Sequence, residues 1–387
     1  MTFRFTTAGE SHGRGLVAVL EGIPAGLPLA AESINAELKR RMGGYGRGAR
    51  MKIEADQIEW LAGVRAGETL GSPIAMLVWN RDWEHWRDVM APEADAPGAE
   101  RRRQVTRPRP GHADLAGALK FGHEDVRDVI ERASARETAA RVAAGAVAKA
   151  VLRLIGMEVR SETRAIGDVE SEPRFDSDAV EASEVRCSDP TRSAQMVAAI
   201  SAARDAGDTL GGIVALRASG VVAGLGTSAQ WDRRLDGRIA QALLSIQSAK
   251  GVQFADAFAA ARERGSAVHD PITVRDGQFA RTRNRAGGLE GGMSNGEDIT
   301  LEVAFKPIST LMKPLPSADL RTGAPSPAHV ERSDVCVVPA AGVVAEAMLA
   351  FVLADALVEK FGCDTADDLV AAVERYRARL HPIDQRK

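Results

Sequence analysis

Aromatic side chains are scarce in this chain. They supply 4% of its 387 residues, so the core has to be filled mainly by Ala, Val, Leu and Ile. Cysteine is scarcer still. Cys187, Cys336 and Cys363 are odd in number and lack metal-ligand spacing, which argues against a disulfide scaffold or a metal knuckle; reduced thiols in a cytoplasm are the expectation. No charge of one sign dominates. The formal net charge is −3, which gives no global drive toward nucleic acid. The opening MTFRFTTAGESHG has no apolar run, so no signal peptide is expected. No uncharged stretch reaches membrane-spanning length either. The best candidate, residues 340–361, carries Glu346, Asp355, Glu359 and Lys360 and reads as a buried helix, with no membrane partner. No Pro-, Gly- or Ser-rich spacer divides the chain. One domain over residues 1–387, with long mobile basic and Gly-rich loops, is expected.

What the chain does contain is concentrated in residues 107–150. His112 follows two prolines and a glycine, and a knot of Arg132, Ser134 and Arg136 comes some twenty residues later. Ser134 and Glu137 stand at S-x-x-E spacing, a capping box, and from there Ala139, Val142, Ala143, Ala146, Val147, Ala150, Val151 and Leu154 recur at three and four. The spacing predicts a helix from the knot to Gly156. Its first turn, with the two arginines, is a plausible anion site; an ordinary capped helix with solvated arginines is the plainer reading.

Elsewhere, apolar runs and turn residues predict strands at 16–20, 53–61, 73–79, 159–168, 211–222 and 299–305, and helices at 28–41, 191–207 and 236–245. Residues 79–95, with Trp79, Trp83 and Trp86, read as a packed surface loop, and residues 170–190 as an exposed polar excursion. His12 sits in a Gly-flanked turn, close to a ligand or simply on the surface. Arg40, Arg41, Arg47 and Arg50 crowd a loop that is either solvated or a phosphate-gripping lid. Residues 224–229 match G-x-G-x-x-A, but no helix follows directly and no acidic residue closes a second strand, so a strand-ending turn is preferred over a dinucleotide site. Asp334 precedes the apolar Val337, Val338 and Pro339; partial desolvation there would suit it to proton transfer, and an ion pair with Arg332 is the alternative. Strands and helices alternate throughout, a mixed α/β class.

Six motifs, in order, resemble the chorismate synthase family along essentially the whole chain: GESHGRG at 9–15, GGYGRGARM at 43–51, RPGHADLAGALKFG at 109–122, RASARETAARVAAG at 132–145, NRAGGLEGGMSNGE at 284–297 and RSDVCVVPAAGVVAEAM at 332–348. The resemblance implies a β-α-β sandwich of helices packed with antiparallel-rich sheets (α+β), a cytoplasmic homotetramer, and a lyase that eliminates phosphate from 5-enolpyruvylshikimate 3-phosphate with reduced FMN and no net redox change. It also implies roles. His12 protonates the leaving phosphate, His112 protonates the reduced flavin, and Asp334 acts in removing the C6 proton. Arg132, Ala133, Ser134, Gln247, Ser248, Gly291, Lys306, Pro307, Ile308, Ser309, Thr310 and Arg332 match FMN-contacting positions. Arg41 and Arg47 match arginines assigned to NADPH in members that reduce their own flavin; an external flavin reductase is the expected source for a chain of this length. Ser11, Arg50 and Arg136 are expected at the substrate. No metal is implied. Residues 226–231 depart from the family's usual Gly-Glu-Pro, and Ser248 stands where alanine is frequent. The competing readings are an NADPH-dependent flavin oxidoreductase and a non-catalytic anion-binding protein built on the glycine-rich loops.

Overall fold

The computed structural model describes residues 3–48, 53–93, 101–275, 278–331, 333–362 and 364–380. Arg4–Ala8 (β1), Gly15–Glu21 (β2), Ile58–Ala62 (β3) and Ile74–Trp79 (β4) form one sheet in the order β1-β2-β4-β3. Glu158–Ile166 (β5), Val169–Glu170 (β6), Gly212–Ser219 (β7), Ala249–Phe254 (β8) and Ile299–Phe305 (β9) form a second, in the order β8-β9-β7-β5-β6. Neighbouring strands in both sheets are antiparallel. Burial alternates along them, with Leu16, Ala18 and Leu20 inside in β2 and Ile299, Leu301, Val303 and Phe305 inside in β9. One face of each sheet is therefore apolar and needs a cover.

Helices supply that cover. The principal ones are Ala31–Met42 (α1), Asp114–Phe121 (α2), Arg127–Ala133 (α3), Thr138–Arg153 (α4), Ser177–Ala182 (α5), Pro190–Asp205 (α6), Leu235–Leu244 (α7), Val338–Phe361 (α8) and Ala366–Leu380 (α9). Helix α4 packs on β2 and β4 of the first sheet, α8 packs on β5 and β7 of the second, and the two helices pack on each other. The result is the β-α-β sandwich that the motif resemblance implied. Helix α8 has the length and apolarity of a membrane span, but 89% of its apolar window is buried inside the protein. An all-round apolar helix must be covered on all sides, and here both neighbours are protein. The α4–α8 contact is close because small residues face each other. A Cβ on Gly145 would come within 2.5 Å of the Ala347 Cα.

Charge is buried in this core too. Glu346 of α8, 1% exposed, accepts from Lys149 of α4 (2.6 Å), Arg40 of α1 (2.8 Å), Arg186 (3.2 Å) and the Ser161 backbone of β5 (2.9 Å). Burial alone would raise its carboxyl; Lys149, Arg40 and Arg186 overcome that and hold it well below the ordinary range. The cluster fixes the C-terminal end of α1, from which Arg41 and the loop carrying Arg47 depart.

Several local expectations change. Arg4–Ala8, where no strand was expected, is strand β1, paired with β2 from Arg4↔Glu21 to Ala8↔Val17. The strand predicted over 53–61 spans only Ile58–Ala62. The helix predicted to begin at the Arg132–Arg136 knot begins at Thr138, after a tight turn at Ala135–Glu137. The capping box does not form as such: the Ser134 hydroxyl caps the turn by accepting from the Arg136 N–H at 3.3 Å. The Glu137 carboxylate instead engages Thr7, Arg141 and Gln247, because tertiary partners outcompete the local one. The excursion over 170–190 is not wholly exposed, since Val180, Val185, Arg186, Cys187 and Ser188 are buried. Helices α2, α3, α5 and α9 had no sufficient sequence signal. Cys187 and Cys336 are buried free thiols, and burial pushes Cys336 up to about 11; Cys363 lies outside the described residues.

Candidate active site

Residues 9–14 connect β1 to β2 and carry Ser11 and His12. Gly9 opens the turn at φ +107, and a Cβ there would lie 2.2 Å from the Gly15 carbonyl oxygen, so no other residue fits. The turn is docked on α3. The Ser11 N–H donates to the Glu131 carbonyl (2.9 Å) and the His12 N–H donates to the Glu131 carboxylate (2.8 Å). The same carboxylate lies 3.0 Å from His12 Nδ1. A carboxylate can only accept, so Nδ1 carries the proton and Nε2 is the nitrogen left for acid–base work. Nε2 lies 4.0 Å from Asp82. The other wall is Trp86, whose ring stacks on the imidazole at 3.9 Å and 22°. Two guanidiniums, Arg103 and Arg127, lie over that same indole. The tryptophan loop therefore helps build the site.

His112 is arranged in the same way. Its Nδ1 meets the carboxylate of Asp114, the first residue of α2. Asp114 is fully buried and also accepts from the Arg109 side chain and backbone at 2.9 Å. Burial would raise Asp114, but His112 and Arg109 hold it well below the ordinary carboxylate range. Arg109 reaches on to Thr310 at 2.8 Å. Gly111, at φ +78, faces Ser309 and Lys306; a Cβ there would lie 3.5 Å from Ser309. The His112 turn and the 306–310 turn after β9 are thus one surface.

A chain of ion pairs joins the two histidines. From His12 it runs to Glu131, then to Arg127 (3.2 Å), then to Glu331 (2.7 Å), and Glu331 lies 3.8 Å from Arg109, which holds Asp114 and so His112. Burial would raise Glu331, yet His329, Arg127 and Arg109 hold it at about 2. Glu131 is likewise lowered against its burial, by His12 and Arg127. Asp334 follows Glu331 by three residues, at most ~11 Å of extended chain. Its carboxylate accepts from the Gly48 N–H at 2.5 Å and pairs with Arg47 at 3.4 Å.

The chain matches the chorismate synthase family over residues 3–358. A chorismate synthase of Moorella thermoacetica is 56% identical over 98% of this chain and 100% of that one. One of Symbiobacterium thermophilum is 53% identical over 99% and 100%. A crystal structure of chorismate synthase superposes with a TM-score of 0.78 at 40% identity, covering 98% of each chain. The chain belongs to the chorismate synthase family. It is therefore an enzyme, a lyase of that family.

Set beside the positions expected from the chorismate synthase motifs, the residues fall into groups. Arg132 at the end of α3 donates to the Thr7 and Gly9 carbonyls, beside Glu137, which Gln247 also contacts. Ser248 is strained at φ +70, and its carbonyl accepts from the Lys306 N–H at 2.9 Å. Burial, with Lys250 nearby, lowers Lys306. Arg132, Ala133, Ser134, Gln247, Ser248 and Lys306–Thr310 thus adjoin one another and the His112 turn. Gly291 sits at the turn of the Leu289–Ser294 hairpin, where its missing Cβ faces Ser228. Arg41 and Arg136 are buried and share Asp56, at 3.3 and 2.6 Å; burial, followed by repulsion from Arg136 and Arg47, lowers Arg41 against the attraction of Asp56. Ser11 is 3% exposed. Arg50 and Arg332 lie outside the described residues. The 224–229 segment is a turn, and α7 starts only at Leu235, so it lacks the strand–turn–helix form of a dinucleotide fingerprint.

Sequence reasoning missed the groups that orient the histidines. Asp114 had a local signal, two residues after His112. Glu131, Glu331, Arg127 and Trp86 had none, because Glu131 meets His12 across 119 residues of chain.

Proposed function

We propose that this enzyme converts 5-enolpyruvylshikimate 3-phosphate to chorismate by 1,4-anti-elimination, with reduced FMN bound and no net redox change, the last common step of the shikimate pathway. The observation that carries the reading is the pairing of His12 and His112 with separate carboxylates inside one chain of ion pairs, in a member of this family. The reaction breaks the C–O bond to phosphate, whose electron pair leaves with the phosphate. A proton is lost from C6 and the ring gains a double bond. The departing anion needs a proton or a cation. His12, holding Nδ1–H against Glu131, offers Nε2 for that proton. His112, held likewise by Asp114 at Nδ1, leaves Nε2 to give or take a proton, and its turn adjoins Ser309 and Lys306 at Gly111. Asp334 serves the C6 proton, its carboxylate kept ready by Gly48 and Arg47.

Residues Arg132, Ala133, Ser134, Gln247, Ser248, Lys306 and Thr310, with Arg332, would hold FMN. The fit has a specific support: Gln247 Oε1 is buried without a hydrogen-bond partner, an acceptor suited to a ring N–H donor. When bound, reduced FMN supplies an electron-rich ring that lends and recovers electron density. Arg41 is already committed to Asp56, Thr138 and the Ala135 carbonyl, which favours reduced flavin supplied by an external reductase over reduction by NADPH on this chain. A cytoplasmic homotetramer is the expected assembly.

Anaerobic incubation with the enolpyruvyl substrate tests this reading. Photoreduced FMN should give chorismate absorbance, and NADPH with oxidised FMN should not. No chorismate with reduced FMN would overturn the proposal, and chorismate with NADPH alone would overturn the external supply.

A further inference from the structure

We infer that Glu331 joins the two histidine–carboxylate pairs into one proton-handling unit, so that each histidine senses the charge of the other. The inference rests on the proposed roles of His12 and His112 for its meaning in turnover, and on geometry alone for its existence.

Among the described residues, Glu331 is the carboxylate that touches both arms. Its Oε1 accepts from Arg127 at 2.7 Å and lies 3.2 Å from His329 Nε2, and its Oε2 lies 3.8 Å from Arg109. Arg127 donates to Glu131, which orients His12, and Arg109 donates to Asp114, which orients His112. The side chains of Arg109, Asp114, Arg127 and Glu131 are between 0% and 7% exposed and that of Glu331 is 24% exposed, so water screens the outer links little and the Glu331 contacts only in part. Three carboxylates (Asp114, Glu131 and Glu331) face two guanidiniums (Arg109 and Arg127), which leaves −1 with the three imidazoles neutral. One proton added to His12, His112 or His329 brings the cluster to neutrality, and a second makes it +1. In weakly screened surroundings the second is the costlier, and the histidines titrate as a set.

Other charges face each arm singly. Asp82 lies near His12 Nε2, and Arg103 covers Trp86 behind it. Glu10 braces the 9–14 turn, and Lys306 faces the His112 turn at Gly111. These tune one histidine each. Glu331, linked to both guanidiniums, is the positioning residue common to the two. A site that must deliver a proton at one point while holding one at another gains from such linkage, because giving up the first strengthens the hold on the second.

The test is NMR of the full chain carrying ring-labelled histidine, without flavin or substrate, with each ring followed from acid to alkaline pH. Glu331→Gln removes a negative charge from beside both arginines, and should move the His12 and His112 transitions together toward lower pH. Glu331→Asp, which keeps the charge, should restore both. Asp114→Asn should alter the His12 curve as well as that of His112, and this cross-effect should vanish when Glu331→Gln is added. A Glu331→Gln variant in which only His329 moves, or an Asp114→Asn variant that leaves His12 untouched, overturns the inference. If Glu331→Gln fails to fold, Asp114→Asn and Glu131→Gln decide alone, since each must then perturb the distant histidine. No chorismate is measured, so failure of the proposed reaction and failure of the coupling are read separately.

Discussion

A histidine becomes a directional acid only when something decides which nitrogen holds the proton. Here Glu131 makes that choice at His12 Nδ1, and at His112 Nδ1 the Asp114 carboxylate, closer than the Arg109 guanidinium at 3.1 Å, makes it likewise, leaving Nε2 of each ring for chemistry. His12→Ala and His112→Ala should each lower turnover by ~10²–10⁴ while FMN still binds, since a missing general acid costs about that much. Flavin titration separates the outcomes: loss of FMN binding in either variant would mean that the side chain holds the cofactor. The candidate histidines were legible in the sequence through their glycine- and proline-bounded turns. Their partners were legible only in part. Asp114 sits two residues from His112, whereas Glu131 meets His12 through the docking of α3 on the 9–14 turn, which no local pattern encodes.

The elements that frame the site owe their positions to the α4–α8 contact and to the charges beneath it. Gly145→Ala would push a methyl against the backbone of Ala347, which cannot swing aside as a side chain can. Overpacking of this kind costs about 1–3 kcal/mol, and the upper end is expected. A denaturant midpoint equal to that of the parent would show that the helices have room to slide. Glu346→Gln should cost more. It leaves the buried Lys149 and Arg186 and the half-buried Arg40 around a neutral amide, and breaking a buried ion cluster on one side costs about 3–5 kcal/mol. A loss below ~1 kcal/mol in the same melt would show that the remaining Glu37 and Glu181 suffice. Because Arg40 precedes Arg41 on α1, this variant should also disturb the Arg47–Asp334 pairing, measured as a fall in turnover beyond the loss of folded protein.

At the scale of the whole molecule, several carboxylates are held below their ordinary range, among them Asp114, Glu131, Glu331 and Glu346. The unfolded chain takes up their protons first on acidification. For Glu331, at about 2 against an ordinary 4.5, the stabilisation is complete above pH 4.5 and is lost as pH falls toward 2. Urea melts between pH 6 and pH 3 should show stability falling across this window, and Glu331→Gln should flatten the fall; an unchanged slope would remove Glu331 from the acid response. The sequence by itself determined the alternating strands, the alanine-rich α4, the buried α8 and the family motifs. Those features are written in local periodicity and in short runs of glycine, arginine and histidine. The tertiary structure decided that Glu137 leaves its capping box, that residues 180–188 turn inward, that Trp86 stacks on His12, and that Glu331 stands between the two histidine arms. Each of these rests on a partner many residues away, and burial makes that partner stronger than any neighbour in the sequence.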